Sequence, residues 1–380
     1  MKVKRRERTL IGILFAVILV AVLALIRSQP WGRLDIRLLK PSTTDWIVAV
    51  QLRDPTNGDL VVILPDGTLQ KLTDDEADDR SPDWAPDGKK IVFSSNRRDN
   101  VYQLWTIDPD GKNLSQLTIG GGAKLAPRYD RDGEHILHVA QGLVTEIDRK
   151  GVHASQLIPL PSQMTQVREQ YDQIAFRYAR RLEENLIVAI QRVDDGEQLV
   201  VQDLNMAQST FALPVIALAE HVDVDWAPDR LLIAMAVVHL LANPETGERV
   251  GGVFRIDLTE GLQNLGVQPL WVSPDSSEGA MEVAWSPDGS RIAFVMVDRR
   301  KDGTLKRKGL YVAPERGGVP TEIVAGEVYE PSWSRNGESL VFSMGKEGAR
   351  QIYTVRVDGS ELKALTEEGD YISPCWSPAQ

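Results

Sequence analysis

Few residues in this 380-residue chain have the type and spacing to do chemistry. The five histidines, His135, His138, His153, His221 and His239, contain no H-E-x-x-H pair. His135 and His138 stand three apart, which on a strand turns them to opposite faces. They read as ordinary histidines of a folded core. Cys375 is the sole cysteine, so neither an intramolecular disulfide nor a zinc site of paired thiolates can form. Beside Trp376 it reads as a packing residue. No G-x-S-x-G pentapeptide supplies a nucleophile elbow. The Asp-Gly segments, above all Asp108–Asn113 (DPDGKN), invite a calcium reading, but none completes a D-x-[DN]-x-[DN]-G loop ending in Glu. No catalytic, cofactor-binding or metal-ligating residue is assigned, and no cofactor is expected.

Charge is more informative. Residues 1–40 carry nine bases against two acids, leaving 34 bases against 52 acids in the remainder, a net of −18. Nucleic-acid phosphates repel such a body. Its acids recur in short runs: Asp74, Asp75, Glu76, Asp78 and Asp79; Glu220, Asp223 and Asp225; Asp275, Glu278 and Glu282; Glu327 and Glu330; Glu367, Glu368 and Asp370. One basic stretch opposes them, VDRRKDGTLKRKG from Val297, with Arg299, Arg300 and Lys301 at its start. These are the candidate partner-binding residues, provided that the fold brings them to one surface. A solvated face is the plainer reading of both sets, and the basic stretch could equally fold over the acidic loops.

The elements that must position them are strands. After a linker containing Pro30 and Pro41, short β-branched runs alternate with Gly, Pro, Asp and Asn clusters, the pattern of an all-β chain. One segment type is an aromatic residue, a turn and an apolar strand: SPDWAPDGKKIVFSS around Trp84, EVAWSPDGSRIAFVM around Trp285 and EPSWSRNGESLVFSM around Trp333. A two-strand hairpin with a Gly turn follows, as in LWTIDPDGKNLSQLT from Leu104 and IYTVRVDGSELKALT from Ile352. The aromatic anchors are Trp84, Tyr129, Tyr178, Trp226, Trp285, Trp333 and Trp376, at spacings of 45, 49, 48, 59, 48 and 43 residues. Four strands per unit at that period predict a β-propeller of about seven blades. Tyr178 is the weakest anchor; IAFRYARRLEENLIVAI around it could be partly helical, leaving six blades and an insertion. The first unit lacks an aromatic opening, and YISPCWSPAQ is an opening strand with no blade behind it. The expectation is that this C-terminal strand closes the ring in the first blade.

The motif SPDWAPDG/AWSPDGSRIAF, followed by a hairpin with DPDG and LT, resembles the TolB-type, WD-like propeller repeats over about residues 45–378. The resemblance implies a bacterial, extracytoplasmic propeller that binds other proteins. TolB itself has six blades and a separate N-terminal α/β domain, for which this chain has no room. Propellers of similar repeat also occur in enzymes. The alternatives are therefore a hydrolase or lyase with a carboxylate-held metal in the central channel, or a binder of glycans or cell-wall peptides, for which Tyr329 and Tyr371 are the loop aromatics.

Leu10–Ile26 is an apolar run of seventeen residues preceded by Lys2, Lys4, Arg5, Arg6 and Arg8. That pattern predicts a transmembrane signal anchor at 10–26, a basic cytoplasmic tail at 1–9, a linker at 27–44 and the propeller at 45–380 outside the cytoplasm. A cleaved signal peptide is the competing reading. Expected partners are envelope or membrane proteins, with the membrane reached through the N-terminal helix.

Overall fold

In the computed structural model each repeat unit becomes one four-stranded antiparallel sheet, and there are seven of them. The structure describes residues 45–378 apart from 153, 158–175, 184, 194–195, 206–209, 213–218, 244–247 and 263. The expected tail, anchor and linker (1–44) lie outside the described residues. Among the described residues no helix is long and apolar enough to cross a membrane.

Within a blade the strands run from the channel outward in chain order. Blade 2 is typical, with Asp79–Trp84 innermost, then Ile91–Ser95, Gln103–Ile107 and Ser115–Gln116. The second strand is buried throughout, as neighbouring blades cover both of its faces, so it reads as a continuous apolar run rather than an alternating one. Phe93, Phe294 and Phe342 occupy this layer in blades 2, 6 and 7 with no more than 2% exposure. In blades 2, 3, 6 and 7 the innermost and second strands are joined by an Asp-Gly or Asn-Gly turn. Gly88, Gly133, Gly289 and Gly337 hold φ between +65° and +68°, and the preceding Asp or Asn oxygen accepts a backbone N–H two residues on. These side-chain oxygens are committed to turn geometry.

Among its described residues blade 4 is β: the inner strand Phe176–Glu183 pairs with Leu186–Val193, where a partly helical segment was the alternative. Here the sequence anchor is displaced. In the other blades the aromatic ends the inner strand, whereas Tyr178 stands near the start of its strand and Leu182 takes the buried place beside Trp226.

The last blade to be completed contains both ends of the ring. Asp370–Trp376 is the innermost strand of blade 1 and pairs antiparallel with Ile47–Asp54, Ile47 facing Trp376 and Leu52 facing Asp370. The expected closure by the C-terminal strand is found.

Candidate functional site

The seven inner strands surround a central cavity of about 570 Å³. Strand alternation puts His221, Asp223 and Asp225 on its wall while Val222, Val224 and Trp226 enter the core. Asp79, Asp223, Asp225, Glu278, Glu282, Glu330 and Asp370, expected in the loops between blades, belong instead to inner strands, and of these Asp223, Asp225, Glu282 and Glu330 line the cavity.

Five inner strands share a bulge that the repeat pattern did not announce. The residue three before the strand-ending aromatic, Ser81, Ala126, Glu282, Glu330 or Ser373, has φ between +49° and +53°, and the pairing register slips there. A left-handed non-glycine residue costs about 1–2 kcal/mol, and on one side of the ring carboxylates offset it. Asp223 of blade 5 accepts the Glu282 N–H of blade 6 at 2.8 Å. Glu282 accepts the Glu330 N–H of blade 7 at 2.7 Å, and Glu330 accepts the Ser373 N–H of blade 1 at 2.5 Å. One level along, Asp83 accepts from Tyr129 N–H and Asp225 from Trp285 N–H. The cavity acids thus stitch the inner strands of blades 5, 6, 7 and 1 in sequence, and that of blade 2 to blade 3.

At blade 4 the cavity wall carries a charge cluster. The Arg177 guanidinium lies 3.0 Å from Glu197 and 3.2 Å from Asp223, and it donates to Val222 O. His221 Nε2 is 2.7 Å from Asp223 Oδ2. Burial works against the imidazolium, but the hydrogen bond and charge of Asp223 prevail and raise the His221 pKa. Burial likewise opposes the Asp223 carboxylate, yet His221 and Arg177 lower its pKa to about 2. A raised folded-state pKa means that the His221 contribution is fully present below the unfolded value of about 6.5 and is lost as pH rises through the folded value. His221→Gln is therefore expected to reduce the decline in urea midpoint between about pH 6 and about pH 9. A profile parallel to that of the unsubstituted chain would refute the coupling. The sequence reading passed over this cluster, although the i, i+2 spacing of His221 and Asp223 on a strand was a legible signal.

The remaining candidate residues divide into paired and free. Asp74 meets Arg53 and Lys71; Asp75 and the buried Asp79 meet Arg97; Asp78 meets Arg80 and Tyr102. Asp370 takes both forks of Arg350 at 2.7 Å, and Glu278 is paired with Lys308. The basic stretch folds into a hairpin whose Arg299 reaches Glu220 at 2.7 Å and whose Arg307 reaches Glu282 at 2.6 Å. Arg300, Lys301 and Lys306 stay exposed, as do Glu76, Glu327, Glu367 and Glu368. Tyr371 is buried, and Tyr329 lies beneath the guanidinium groups of Arg307 and Arg350, so neither offers a free platform.

The aromatic anchors join blades. Trp84 Nε1 donates to Cys375 O of blade 1, and Trp333 Nε1 donates to Ala284 O of blade 6. Trp285 packs in a core shared with blade 5, Tyr129 in one shared with blade 2, and Trp376 against a cluster containing residues of blades 1 and 7. Among the described residues the group spaced to hold an ion is Asp130, Asp132 and His135, in the turn of blade 3 rather than in the channel. There Asp130 is 2.7 Å from Arg181 and Asp132 2.6 Å from His135.

Comparison with known proteins bears on this geometry. No family model matches the chain. TolB from Acinetobacter baumannii superposes with a TM-score of 0.52 at 17% identity, covering 88% of this chain and 67% of that one. The fold is a TolB-like β-propeller. A TolB homolog of Chlorobium luteolum is 35% identical over 99 residues, which is 25% of this chain and 21% of that protein. An oligogalacturonate lyase from Vibrio parahaemolyticus has the same fold, with a TM-score of 0.57 at 13% identity over 85% of this chain and 86% of that one. The uncharacterized peptidase YuxL of Bacillus subtilis is 34% identical over 98 residues, 25% of this chain and 15% of that protein. The matched segments therefore span only a small part of these curated relatives, and the fold is shared by TolB and by enzymes alike.

Proposed function

We propose that this chain is a non-catalytic, extracytoplasmic propeller, tethered to the membrane by residues 10–26, that recognises envelope or membrane proteins through one face. The observation carrying this reading is where the unpaired charge lies. Asp83, Asp223, Asp225, Glu282 and Glu330 of the cavity wall are engaged by backbone N–H groups. The candidate charges left exposed belong to loops that the antiparallel topology delivers to a single face: the inter-blade links with Glu76, Glu327, Glu367 and Glu368, and the hairpin tip with Arg300 and Lys301. Neighbouring patches of opposite sign orient a partner and speed its approach more than they raise affinity.

The test is charge reversal in the full-length chain, with Arg300→Glu, Lys301→Glu and Lys306→Glu combined, followed by cross-linking in native membranes. Recovery of a defined cross-linked protein is expected to fall by about tenfold or more, with the unsubstituted complex weakening as salt rises. Unchanged recovery, combined with unchanged recovery after Glu76→Lys, Glu367→Lys and Glu368→Lys, would refute the reading.

A further inference from the structure

Among the described residues Arg128 and Arg180 are the two guanidinium groups of the cavity wall that no carboxylate contacts directly. Arg128 precedes Tyr129 on the inner strand of blade 3, and Arg180 lies on the adjacent inner strand of blade 4. The Glu197–Arg177–Asp223 cluster and the Glu282–Arg307 pair show how this ring neutralises its other buried arginines. Arg128 instead donates to its own neighbour Pro127 O at 2.9 Å, and Arg180 lies near the Tyr178 side chain. Neither is paired with a carboxylate among the described residues. The nearest acids around the ring, Asp83 and Asp225, accept Tyr129 N–H and Trp285 N–H and favour the Arg180 charge without touching it.

Both groups are held in place by aromatic rings. The Arg180 guanidinium sits 4.0 Å from the Trp226 ring centroid and that of Arg128 5.9 Å from the Tyr178 centroid. Stacking fixes the planar forks before any ligand arrives, so little freedom is lost on binding. Across the cavity the matching positions before the aromatic are small, Ala284, Ser332 and Cys375, which leaves open volume opposite the arginines. The cavity volume of about 570 Å³ falls within the range of small-molecule sites.

We propose that Arg128 and Arg180 form an oxyanion site inside the central cavity that takes the carboxylate or phosphate group of a small molecule. Two forked guanidinium groups in a half-enclosed, aromatic-walled space suit an oxyanion, which can bond directly to forks that no carboxylate of the blades reaches. This site is independent of the loop face: it lies in the channel and uses none of the face's exposed charges.

The experiment is calorimetric titration of the full-length chain, purified in detergent, with citrate in one arm and inorganic phosphate in the other. Saturable binding tighter than about 1 mM is expected in at least one arm, and which arm responds separates a carboxylate from a phosphate ligand. Arg128→Gln and Arg180→Gln are each expected to weaken it at least about tenfold, while Lys89→Gln, on an exposed turn, leaves it unchanged. Arg180→Lys keeps the charge and most of the packing but loses the fork, so it is expected to weaken binding with the fold intact. Should the glutamine variants unfold, tryptophan fluorescence of the unsubstituted chain still decides, because Trp226 lies against Arg180 and Trp285 and Trp333 line the cavity. Saturable change with either anion at constant ionic strength supports the site. No saturable response to either, or full binding retained in Arg180→Lys, would overturn it.

Discussion

Glu282→Ala is expected to lower the unfolding free energy by about 3–5 kcal/mol, the cost of breaking a buried ion pair by removing one partner. Glu282 holds two neighbours at once. Its carboxylate takes both forks of Arg307, at 2.6 and 2.8 Å, and accepts the Glu330 N–H of the next blade at 2.7 Å. That N–H belongs to a residue in the left-handed region, at φ +52°, so losing the acceptor removes what offsets the local strain. Arg307 would keep only Val328 O and the Tyr329 ring. Glu282→Gln retains an acceptor for Glu330 N–H but not the charge, so its cost should fall between that of alanine and none. Urea midpoints read both, with Lys89→Ala as an exposed reference expected within about 0.5 kcal/mol of the unsubstituted chain. A Glu282/Arg307 double-mutant cycle should give a coupling of about 0.5–3 kcal/mol. If Glu282→Ala behaved like the Lys89 reference, the inter-strand stitching would be geometry without energy.

The repeat was legible because it is made locally. An aromatic, a Gly turn and an apolar run lie within fifteen residues, and the turn glycines adopt the positive φ that their type favours. Blade 4 is where local evidence thinned: Tyr178 lies near the start of its strand, Leu182 replaces the anchoring aromatic, and the Asp-Gly turn is missing. What held it as a blade is burial along Ile187–Ile190, which a partly helical reading also accommodates. The cavity was harder. Its chemistry joins residues far apart in the chain, Arg177 with Asp223 and Glu330 with Ser373, and a ring brings them together only once it has closed. One signal was available in each unit. The residue before the aromatic, Asp83, Arg128, Asp225, Ala284, Ser332 or Cys375, lines the cavity, so reading these six positions down the repeat would have disclosed its charged and its open side. The acidic runs looked like loops because acids are rare on buried strands. Here the inner strand faces a polar cavity, and backbone N–H groups of the next blade satisfy them.

Truncation after Gly369 is expected to have the largest effect of all, namely loss of the cooperative native state. The strand Asp370–Trp376 is the inner edge of blade 1, and it also ties three blades together. Ser377 N–H donates to Trp46 O at 2.7 Å while Trp46 N–H donates to Ser377 Oγ at 3.2 Å. Ser373 satisfies Glu330 of blade 7, Asp370 satisfies Arg350 of blade 7, and the Cys375 carbonyl receives Trp84 of blade 2. Without the strand, Ile47–Asp54 becomes an unprotected edge beside an exposed apolar face, the arrangement that natural sheets avoid because it recruits other chains. The lost side-chain burial, the orphaned Arg350 and Glu330 and the missing ladder together approach the whole stability of a typical domain, about 5–15 kcal/mol. Near-UV circular dichroism should lose its tryptophan bands, and size-exclusion chromatography should show aggregates. A synthetic peptide of residues 370–378 supplied during refolding is expected to restore part of the native signal, because the site it fills is formed by blades already encoded in the remaining chain. The same peptide carrying Ser373→Pro, which cannot donate its N–H to Glu330, should restore less. A truncated chain with an unchanged unfolding midpoint would mean that the ring is closed by contacts between blade faces, and that the strand only decorates it.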